Sequence, residues 1–550
     1  MPGTRSGTTP PSYEVIMLDR RTFLIASAAA AAAGVPRPAA AASAQTLRVA
    51  MTAADLPTVT GIPNNGGEGF RFLGYPAYDS LVNWDFTRTE ETAGLAPGLC
   101  TDWKVDPANP LRWLFTVRQG VKFHDGSDLN ADAILWNLAR IYDEKSPQYD
   151  APASPIVKAT VSMLDTWEKV DEGTIAIATK YPFGFFPYLI PRILIVSPAQ
   201  WEKAGRSWQG FAKQPSGTGP FKISRIVPGQ YVEMVRNEDY WDKARVPKLE
   251  KMTVYPMPEA TTRLAALRSG QVDWIEVPPP DAIPSLRQAG FQISLWPYPH
   301  TYPYAFNCMP GSPFADVRVR QAANYAIDRE GMCTMLNETG KPAVGLYPPG
   351  HPVFGTPENH YRYDPEKAKA LLKEAGYGPG KPLKAKIMIS TSGSGQMMPI
   401  PMNELMQQNF AAVGMEIDFD VVEWGTMLVA VRNPPGTAPS HGVDAINISL
   451  SYTDPSSMFR YYASESASPV NYNWGHFKND KLDALLRKAQ SVFDADEQTA
   501  LLAQAHAIVV DEAPWLFIVH DQNPRAMSKK VKDFRPAQSW YQDFTQITIA

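Results

Sequence analysis

Residues 113–126 read WLFTVRQGVKFHDG, and this stretch combines a strand pattern with a turn. Side chains alternate from Leu111 to Phe123: Trp113, Phe115 and Val117 share one face, and polar residues such as threonine and arginine occupy the other. Alternation with period two is typical of a half-buried β-strand. The His-Asp-Gly sequence that follows favours a turn. We therefore expect a strand with one buried face that ends in a tight turn.

Helix signals alternate with strand signals along the rest of the chain. Residues 258–270 predict a helix with an apolar stripe that stops at Gly270, and a strand follows at 272–275. Asp364-Pro365-Glu366 is a typical helix start, because Asp caps the first turn and Pro suits its first position. Asn479 begins another helix whose leucines recur at helical spacing. Mixed strands and helices without an internal repeat indicate α/β lobes.

Composition limits the class of protein. The chain has 550 residues, 44% of them hydrophobic and 20% charged, with a net charge of −4. These values suit a large globular protein, and no overall basic charge indicates a nucleic-acid partner. Cys100, Cys308 and Cys333 are widely spaced and form no metal motif. Free thiols are the simpler interpretation, and a Cys308–Cys333 disulfide is the alternative.

The N-terminal segment predicts export. Arg20-Arg21 precede an apolar, alanine-rich run from Ile25 to Val35, and Ala42-Ser43-Ala44 supplies a cleavage site. We expect residues 1–44 to be a signal peptide of the twin-arginine type, with Met17 as an alternative start. The alternative is an N-terminal amphipathic or anchor helix, but the apolar run is too short to span a membrane. No cysteine follows it for lipid attachment, so we expect a soluble periplasmic protein without a membrane anchor.

Ordered motifs across the mature chain give it a family resemblance. The stretch quoted above is the most specific of them, and the others are Tyr78–Val82 with Leu95–Leu99, Gly217–Phe221, Asn237–Trp241, Arg263–Asp273 and Pro313–Asp328. Together they resemble the peptide/nickel class, family 5, of extracellular solute-binding proteins of ABC importers. Most of these residues are expected to hold the fold. Gly217 and Gly219, for example, are expected to permit positive φ in a tight loop.

The resemblance implies an α/β, two-lobed periplasmic-binding-protein (Venus-flytrap) fold, with a ligand cleft between the lobes and an extra subdomain in lobe I. Lobe I would comprise residues 45–299, with 517–550 returning to it, and lobe II would comprise 300–516. Hinge strands would lie near Tyr302–Asn307 and Trp515–His520. The implied function is to bind a peptide or peptide-like solute by hinge closure and deliver it to the permease and ATPase subunits. We expect a monomer with no catalytic residue, metal or cofactor.

The resemblance also implies candidate ligand contacts. Asp454, in a Tyr-Thr-Asp-Pro sequence, would pair with a ligand ammonium group or would cap the following helix, or both. For Asn473, Trp474 and Trp424 the choice is between a cleft wall and lobe packing. The glycine-rich segment 64–71, predicted to be a loop, supplies the remaining candidates: Glu68, Phe70 and Arg71.

Two departures from the family pattern restrict the ligand. Dipeptide binders place an arginine in the second lobe for the ligand carboxylate, and residues 391–398 contain none. The eight histidines are scattered, which disfavours nickel. Longer peptides, amine-bearing conjugates and non-peptide solutes stay open. Two other functions also stay open: an exported hydrolase, for which no local catalytic motif is present, and a chaperone or chemosensory co-receptor on the same fold.

Overall fold

The computed structural model describes residues 45–53, 56, 59–62, 66–158, 160–393 and 395–550. The predicted signal peptide therefore lies outside the described residues. Residues 45–550 form one compact unit. It contains two large sheets of seven strands each and a four-stranded sheet.

The first large sheet forms lobe I. Its strands, in spatial order, are Gln292–Ser294, Arg525–Met527, Trp274–Glu276, Thr46–Met51, Lys251–Pro256, Tyr231–Arg236 and Phe221–Val227. Thr46–Met51 runs parallel to both of its neighbours, and the outer strands pair antiparallel. The C-terminal segment returns to this lobe, because Arg525–Met527 lies inside the sheet and Gln45 hydrogen-bonds Ile549.

Lobe I also contains short helices and two strand pairs. Its helical segments are Gly66–Gly69, Phe70–Gly74 (a π-helix), Tyr75–Ala77, Phe186–Leu189, Ile190–Arg192, Pro198–Lys203, Trp208–Phe211, Lys243–Arg245, Ala260–Ser269, Pro280–Ala282 and Ile283–Gln288. The pairs join Val82–Trp84 to Leu95–Pro97 and Val531–Lys532 to Thr548–Ile549. The segment predicted as a loop at 64–71 is thus helical from Gly66 onward.

The four-stranded antiparallel sheet is the subdomain of lobe I. Its spatial order is Cys100–Asp106, Asn109–Val117, Thr174–Thr179 and Leu164–Asp171, with helices Ala131–Tyr142 and Ser154–Lys158 packed beside it. Trp113, Phe115 and Val117 are buried, which confirms the predicted apolar face. The strand ends at Val117 rather than Phe123, since the chain turns there.

The second large sheet forms lobe II. Its spatial order is Gly340–Pro342, Trp515–Asp521, His300–Phe306, Ala445–Asn447, Leu383–Ser390 and Met415–Val422, and Leu450–Ser451 pairs with one end of His300–Phe306. The helical segments around it are Pro313–Ala315, Val317–Ala326, Arg329–Met335, Pro365–Glu374, Pro399–Ala412, Trp424–Ala430, Ala438–Ser440, Ser457–Tyr462, Ser464–Ser466, Asp480–Ser491 and Ala495–Glu512.

The two large sheets are joined by two short crossings. Residues 295–299 leave lobe I and residues 522–524 return to it, and Trp296 N donates to Gln522 O at 2.8 Å where they meet. The segments expected to lie near the hinge, 302–307 and 515–520, fall largely in strands His300–Phe306 and Trp515–Asp521, which pair in the lobe II sheet next to the two crossings.

Several helix boundaries follow the sequence signals. Asp364 accepts a hydrogen bond from Lys367 N at 3.0 Å, and Asn479 accepts one from Leu482 N at 3.0 Å. Gly270 ends its helix at φ +75°, in the left-handed region that glycine tolerates.

The loop at Gly217 and Gly219 needs glycine for a reason that differs from the predicted one. Neither residue has a positive φ. A Cβ on either would overlap Ala77 or Tyr78 instead, because the two chain segments run against each other. Close backbone approach, not backbone conformation, requires glycine here.

Candidate functional site

Lobe I contains a group of packed aromatic rings, here called the aromatic wall, in which Tyr75 is partly exposed and Phe70, Trp84 and Tyr541 are buried. The rings of Tyr75 and Tyr541 meet edge-to-face at 4.5 Å, and Phe70 lies 6.0 Å from Tyr75. The Tyr75 hydroxyl donates to Pro191 O and accepts from Trp84 Nε1, each at 3.1 Å. These bonds fix the ring orientations. Aromatic surface with polar edges is suited to binding a small solute by stacking and shape.

Behind this wall lies a buried ionic cluster around Glu276. Its carboxylate pairs with Arg71 and accepts from Arg525 Nε at 3.1 Å and from Trp274 Nε1 at 2.6 Å. Burial alone would raise the pKa of Glu276, but Arg71 and Arg525 outweigh it and hold the pKa below its ordinary value. Arg71 also donates to Trp540 O at 2.6 Å. Arg71, a sequence candidate for ligand contact, is thus buried in the interior of lobe I.

Glu68 also makes its hydrogen bonds within lobe I. Its two carboxylate oxygens accept from Thr52 Oγ1 and Ala53 N, each at 2.6 Å, at the end of strand Thr46–Met51. Burial raises the pKa of Glu68 despite these hydrogen bonds. Both oxygens face the protein, so Glu68 ties the helical segment to the sheet.

On the lobe II side, the central feature is the buried pair of Asp454 and Arg460. Arg460 donates from Nη1 to Oδ1 at 3.0 Å and from Nη2 to Oδ2 at 2.9 Å. Ser456 N donates to Oδ1 at 3.0 Å, which forms the local turn before helix Ser457–Tyr462. Burial raises the pKa of Asp454, but the net shift is downward because Arg460 and these hydrogen bonds outweigh burial. Asp454 is therefore an ionised carboxylate that already has a cation.

Two lobe I side chains lie in the electrostatic neighbourhood of this pair. Tyr188 and Arg192 are partly exposed, and each lies within electrostatic range of Asp454. The Arg192 guanidinium has no hydrogen-bond acceptor or ion-pair partner among the described residues. Its charged neighbour Arg460 repels it, and the Tyr541 and Tyr75 hydroxyls lie nearby. Residues of both lobes thus meet around one polar position.

The other sequence candidates, Asn473, Trp474 and Trp424, lie in lobe II. Asn473 Nδ2 donates to Ala463 O and Phe477 O, and its Oδ1 accepts from Phe477 N, so its amide is satisfied by backbone. Trp474 is fully buried in the apolar core, and its Nε1 has no partner among the described residues. Trp424 is partly exposed and lies against the backbone of Gly393.

A buried polar cluster lies near the two crossings. Tyr298 donates to Asp521 at 2.8 Å, and the His300 ring stacks on Tyr298 at 5.0 Å and lies 5.1 Å from Trp540. Burial raises the pKa of Asp521 to about 6 and lowers that of His300 to about 3. These groups lie beside the two crossings between the large sheets.

A second groove, and the three cysteines, lie away from the Asp454–Arg460 pair. A groove of about 840 Å³ on lobe II is lined by strands Leu383–Ser390 and Met415–Val422 and by helix Pro399–Ala412, and two of its side chains, Lys384 and Glu416, pair at 3.2 Å. It contains none of the residues that meet between the lobes. In the described ranges no three His, Cys, Asp or Glu side chains are arranged to hold a metal, and no helix is long and apolar enough to cross a membrane. All three cysteines are free thiols, without a Cys308–Cys333 bond.

Comparison with known proteins decides the family. The family model described as "Bacterial extracellular solute-binding proteins, family 5 Middle" matches residues 94–470. The chain belongs to this family. The predicted resemblance is confirmed, and with it the role of a solute-binding protein.

Relatives within family 5 span most of the chain. Heme-binding protein A of Haemophilus influenzae is 28% identical over 508 residues, covering 88% of each chain. Di/tripeptide-binding protein 2 of Pseudomonas aeruginosa is 27% identical over 500 residues, covering 88% of this chain and 91% of the relative. The glutathione-binding protein GsiB of Salmonella typhi is 28% identical, covering 77% and 80%.

Solved structures of similar fold confirm the two-lobed architecture. The periplasmic binding protein DppA of Helicobacter pylori, in complex with the peptide STSA, has a TM-score of 0.78 at 23% identity, covering 92% of this chain and 98% of that one. A dipeptide-binding protein of Pseudoalteromonas, in complex with Met-Leu, also has a TM-score of 0.78 at 23% identity, with coverages of 92% and 100%.

Tyr188 and Arg192 were not among the candidates predicted from the sequence. A signal for Arg192 was available, since it is the one charged residue in the otherwise apolar stretch 183–196. A lone cation in such a stretch points to a polar surface that the fold must place somewhere specific. No local spacing links it to Asp454, which lies 262 positions later in the chain.

Proposed function

We propose that this chain is the periplasmic binding component of an ABC importer and that it binds a peptide or peptide-like solute between its lobes. The observation that carries the proposal is the meeting of Tyr188 and Arg192 of lobe I with Asp454 of lobe II around one polar position beside an aromatic wall. A solute held there contacts both lobes at once. Such contacts are what a hinged receptor needs to favour its closed form.

The peptide-like class is supported by two kinds of observation. Relatives over most of the chain are named for di/tripeptide and glutathione binding. The interlobe position also combines charged and aromatic groups, which match the charged ends and variable side chains of short peptides. We propose delivery to the permease and ATPase subunits of an importer, without chemical turnover of the solute.

We assign the sequence candidates to two roles. Trp424 is proposed to contact solute, since it is partly exposed, and Asp454 and Phe70 are proposed to become accessible to solute when the lobes open, since both are buried in this structure. Glu68, Arg71, Asn473 and Trp474 are proposed to hold the surrounding structure in place, because their polar groups are engaged inside the protein or their side chains are buried.

Closure is proposed to occur about the crossings at 295–299 and 522–524. Each crossing is only a few residues long, and their one described backbone contact, Trp296 N to Gln522 O, lies where they meet. Small backbone rotations there move whole lobes, because both sheets are internally hydrogen-bonded and rigid.

Export by the twin-arginine route is the remaining part of the proposal. It is supported by Arg20-Arg21, the apolar run and the Ala-Ser-Ala site. Replacing both arginines with lysine is expected to leave precursor in the cytoplasm, as judged by fractionation and immunoblotting. Normal periplasmic accumulation of that variant would exclude the route.

The binding function is tested on protein purified from the periplasm under native conditions. Mass spectrometry of the released small molecules is expected to find peptide-like material. Isothermal titration of protein stripped by unfolding and refolding is then expected to show binding of tri-alanine or glutathione, with the solute recovered unchanged. Recovery of hydrolysed product would support the exported hydrolase instead. Equal binding of an unfolded model protein would support the chaperone.

A further inference from the structure

The first described residue, Gln45, is held by the C-terminal end of the chain. Its side-chain Nε2 donates to Ile549 O at 2.7 Å, and Ile549 N donates to its Oε1 at 2.8 Å. Both polar atoms of the carboxamide are thus bound to the backbone of one residue that lies 504 positions later in the chain. We call this pair of hydrogen bonds the terminal clamp.

The backbone on both sides of the terminal clamp is also fixed. Gln45 O accepts from Glu250 N at 2.8 Å, and strand Thr46–Met51 of the lobe I sheet follows directly. Ile549 is buried and pairs with Val531 in the strand pair near the C-terminus. Releasing the carboxamide therefore requires local opening at one end of the chain, which costs free energy.

Gln45 is also the residue that the predicted cleavage after Ala44 places at the N-terminus of the mature chain. An N-terminal glutamine can cyclise to pyroglutamate. Its α-amino nitrogen attacks the side-chain Cδ, a new C–N bond closes a lactam ring, and the Cδ–Nε2 bond breaks. The proton lost by the amine goes to the leaving nitrogen, so ammonia is released and no other reactant is needed. The positive charge of the amino group is lost.

The terminal clamp opposes this attack through geometry. Ring closure requires the side chain to fold back until Cδ lies about 3–3.5 Å from the α-nitrogen. The clamped carboxamide is bound instead to Ile549, through both of its polar atoms. Turning it toward its own amine breaks both hydrogen bonds, so the cyclisation barrier includes the free energy of opening the clamp.

We propose that Gln45 is a modification site controlled by the fold: the terminal clamp keeps the mature N-terminus as free glutamine, and pyroglutamate forms where the clamp opens. This inference rests on the proposed export, because it needs cleavage after Ala44. The lactam has lost Nε2, so the hydrogen bond to Ile549 O cannot form again. Cyclisation is thus a lasting mark of chains whose two ends have separated.

The test follows cyclisation by mass spectrometry of the N-terminal peptide, using mature protein purified from the periplasm under native conditions. The reference is a synthetic peptide of residues 45–51, which has no clamp. Both are kept in warm phosphate buffer without enzyme. Native protein is expected to start as free glutamine and to lose ammonia about 10- to 100-fold more slowly than the peptide, the range for two hydrogen bonds.

Variants at the C-terminus separate the clamp from the rest of the fold. Deleting Ile549 and Ala550 removes the clamp and is expected to bring the rate close to that of the peptide. Ile549→Pro removes only the donor to Oε1, so an intermediate rate is expected. Deleting Ala550 alone is the matched control, because Ala550 N donates to Lys530 O and Ile549 is kept. It is expected to cyclise as slowly as wild type.

Thermal unfolding checks that the variants fold, and the comparison of wild type with the peptide depends on none of them. Wild type that is isolated as pyroglutamate, or that cyclises as fast as the peptide, would overturn the inference and leave export and solute binding intact. Folded clamp-free variants that cyclise as slowly as wild type would overturn it too. So would a mature chain that begins at another residue. Precursor that stays in the cytoplasm would contradict the proposed export, and this inference with it.

Discussion

Asp454 and Arg460 form a two-bonded ion pair at the start of a lobe II helix, with donor–acceptor distances of 2.9 and 3.0 Å and side chains almost fully buried. The pair spans six positions of the chain and joins a turn to the helix that follows it. Asp454 therefore stabilises lobe II through Arg460, whatever it does in solute binding.

Replacing Asp454 with asparagine is expected to reduce the free energy of unfolding by about 3–5 kcal/mol, because Arg460 is left buried without its counter-ion. Urea denaturation followed by circular dichroism measures this change. Glu202→Gln, which breaks an exposed pair with Arg206, is the control and should cost at most about 1 kcal/mol. A loss below 1 kcal/mol for Asp454→Asn would show that the pair does not form in solution.

The pH dependence of that pair has a defined sign. The pKa of Asp454 is lowered in the folded protein, so its contribution to stability is present above the unfolded-state pKa. It is lost as the pH falls through the folded-state pKa. The difference in unfolding free energy between wild type and Asp454→Asn should accordingly shrink in acid. A difference that grows as the pH falls would contradict the assignment.

His506 is expected to make the protein less stable in mild acid. Tyr347 N donates to its Nε2 at 3.2 Å, so Nδ1 carries the proton and donates to Phe354 O at 2.7 Å. Burial lowers the pKa of His506 to about 4. The unfolded chain therefore takes up a proton first, and stability falls from about pH 6.5 to about pH 4, by about 3 kcal/mol for this group.

Unfolding free energies measured between pH 4 and 7 test this, with His506→Asn expected to show the shallower slope. Gln504→Ala, at an exposed position of the same helix, should keep the wild-type slope. An unchanged slope in His506→Asn would mean that the imidazole is protonated in the folded state.

Gly219→Ala is expected to destabilise lobe I by about 1–3 kcal/mol, because the added Cβ would overlap the backbone between Ala77 and Tyr78. Gly94→Ala is the control, since a Cβ there meets nothing within 4 Å and is expected to change stability little. Thermal unfolding of both variants decides the matter. Equal midpoints would indicate that the two segments are not in close contact.

Gly184→Ala is expected to hinder lobe closure. Gly184 of lobe I donates to Gln490 O of lobe II at 2.7 Å, and a Cβ on Gly184 would overlap the Val492 carbonyl oxygen. Solute affinity should fall about tenfold or more while the unfolding free energy stays near the wild-type value, because each lobe is intact. Gly173→Ala, in a subdomain hairpin with only one ordinary contact, is the control. Unchanged affinity in Gly184→Ala would show that the two surfaces do not meet on binding.

Local features of the fold were predictable because they depend on neighbours in the chain. Asp364 and Asn479 cap helices through residues three positions away, and Trp113 shares a strand face with Phe115. The ends of the sheets had no such local signal, because strand Trp515–Asp521 pairs with His300–Phe306 more than 200 positions earlier. Pairing over that distance leaves no local signal for where one sheet ends.

The site was harder to predict for the same reason. Asp454 could be singled out from its sequence context, but its partner Arg460 is one of several nearby polar residues, and Arg192 comes from the other lobe. The candidates Glu68 and Arg71 come from a glycine-rich segment that was predicted to be a loop, whereas the structure buries both in lobe I. Burial of a charged side chain depends on partners such as Glu276, which no local pattern identifies.

Small-angle X-ray scattering of stripped protein, before and after addition of the solute released from natively purified protein, tests the central claim most directly. A solute that contacts lobe I and lobe II together is expected to decrease the radius of gyration. Saturating binding, checked by titration, with no change in the radius of gyration would contradict closure around an interlobe solute.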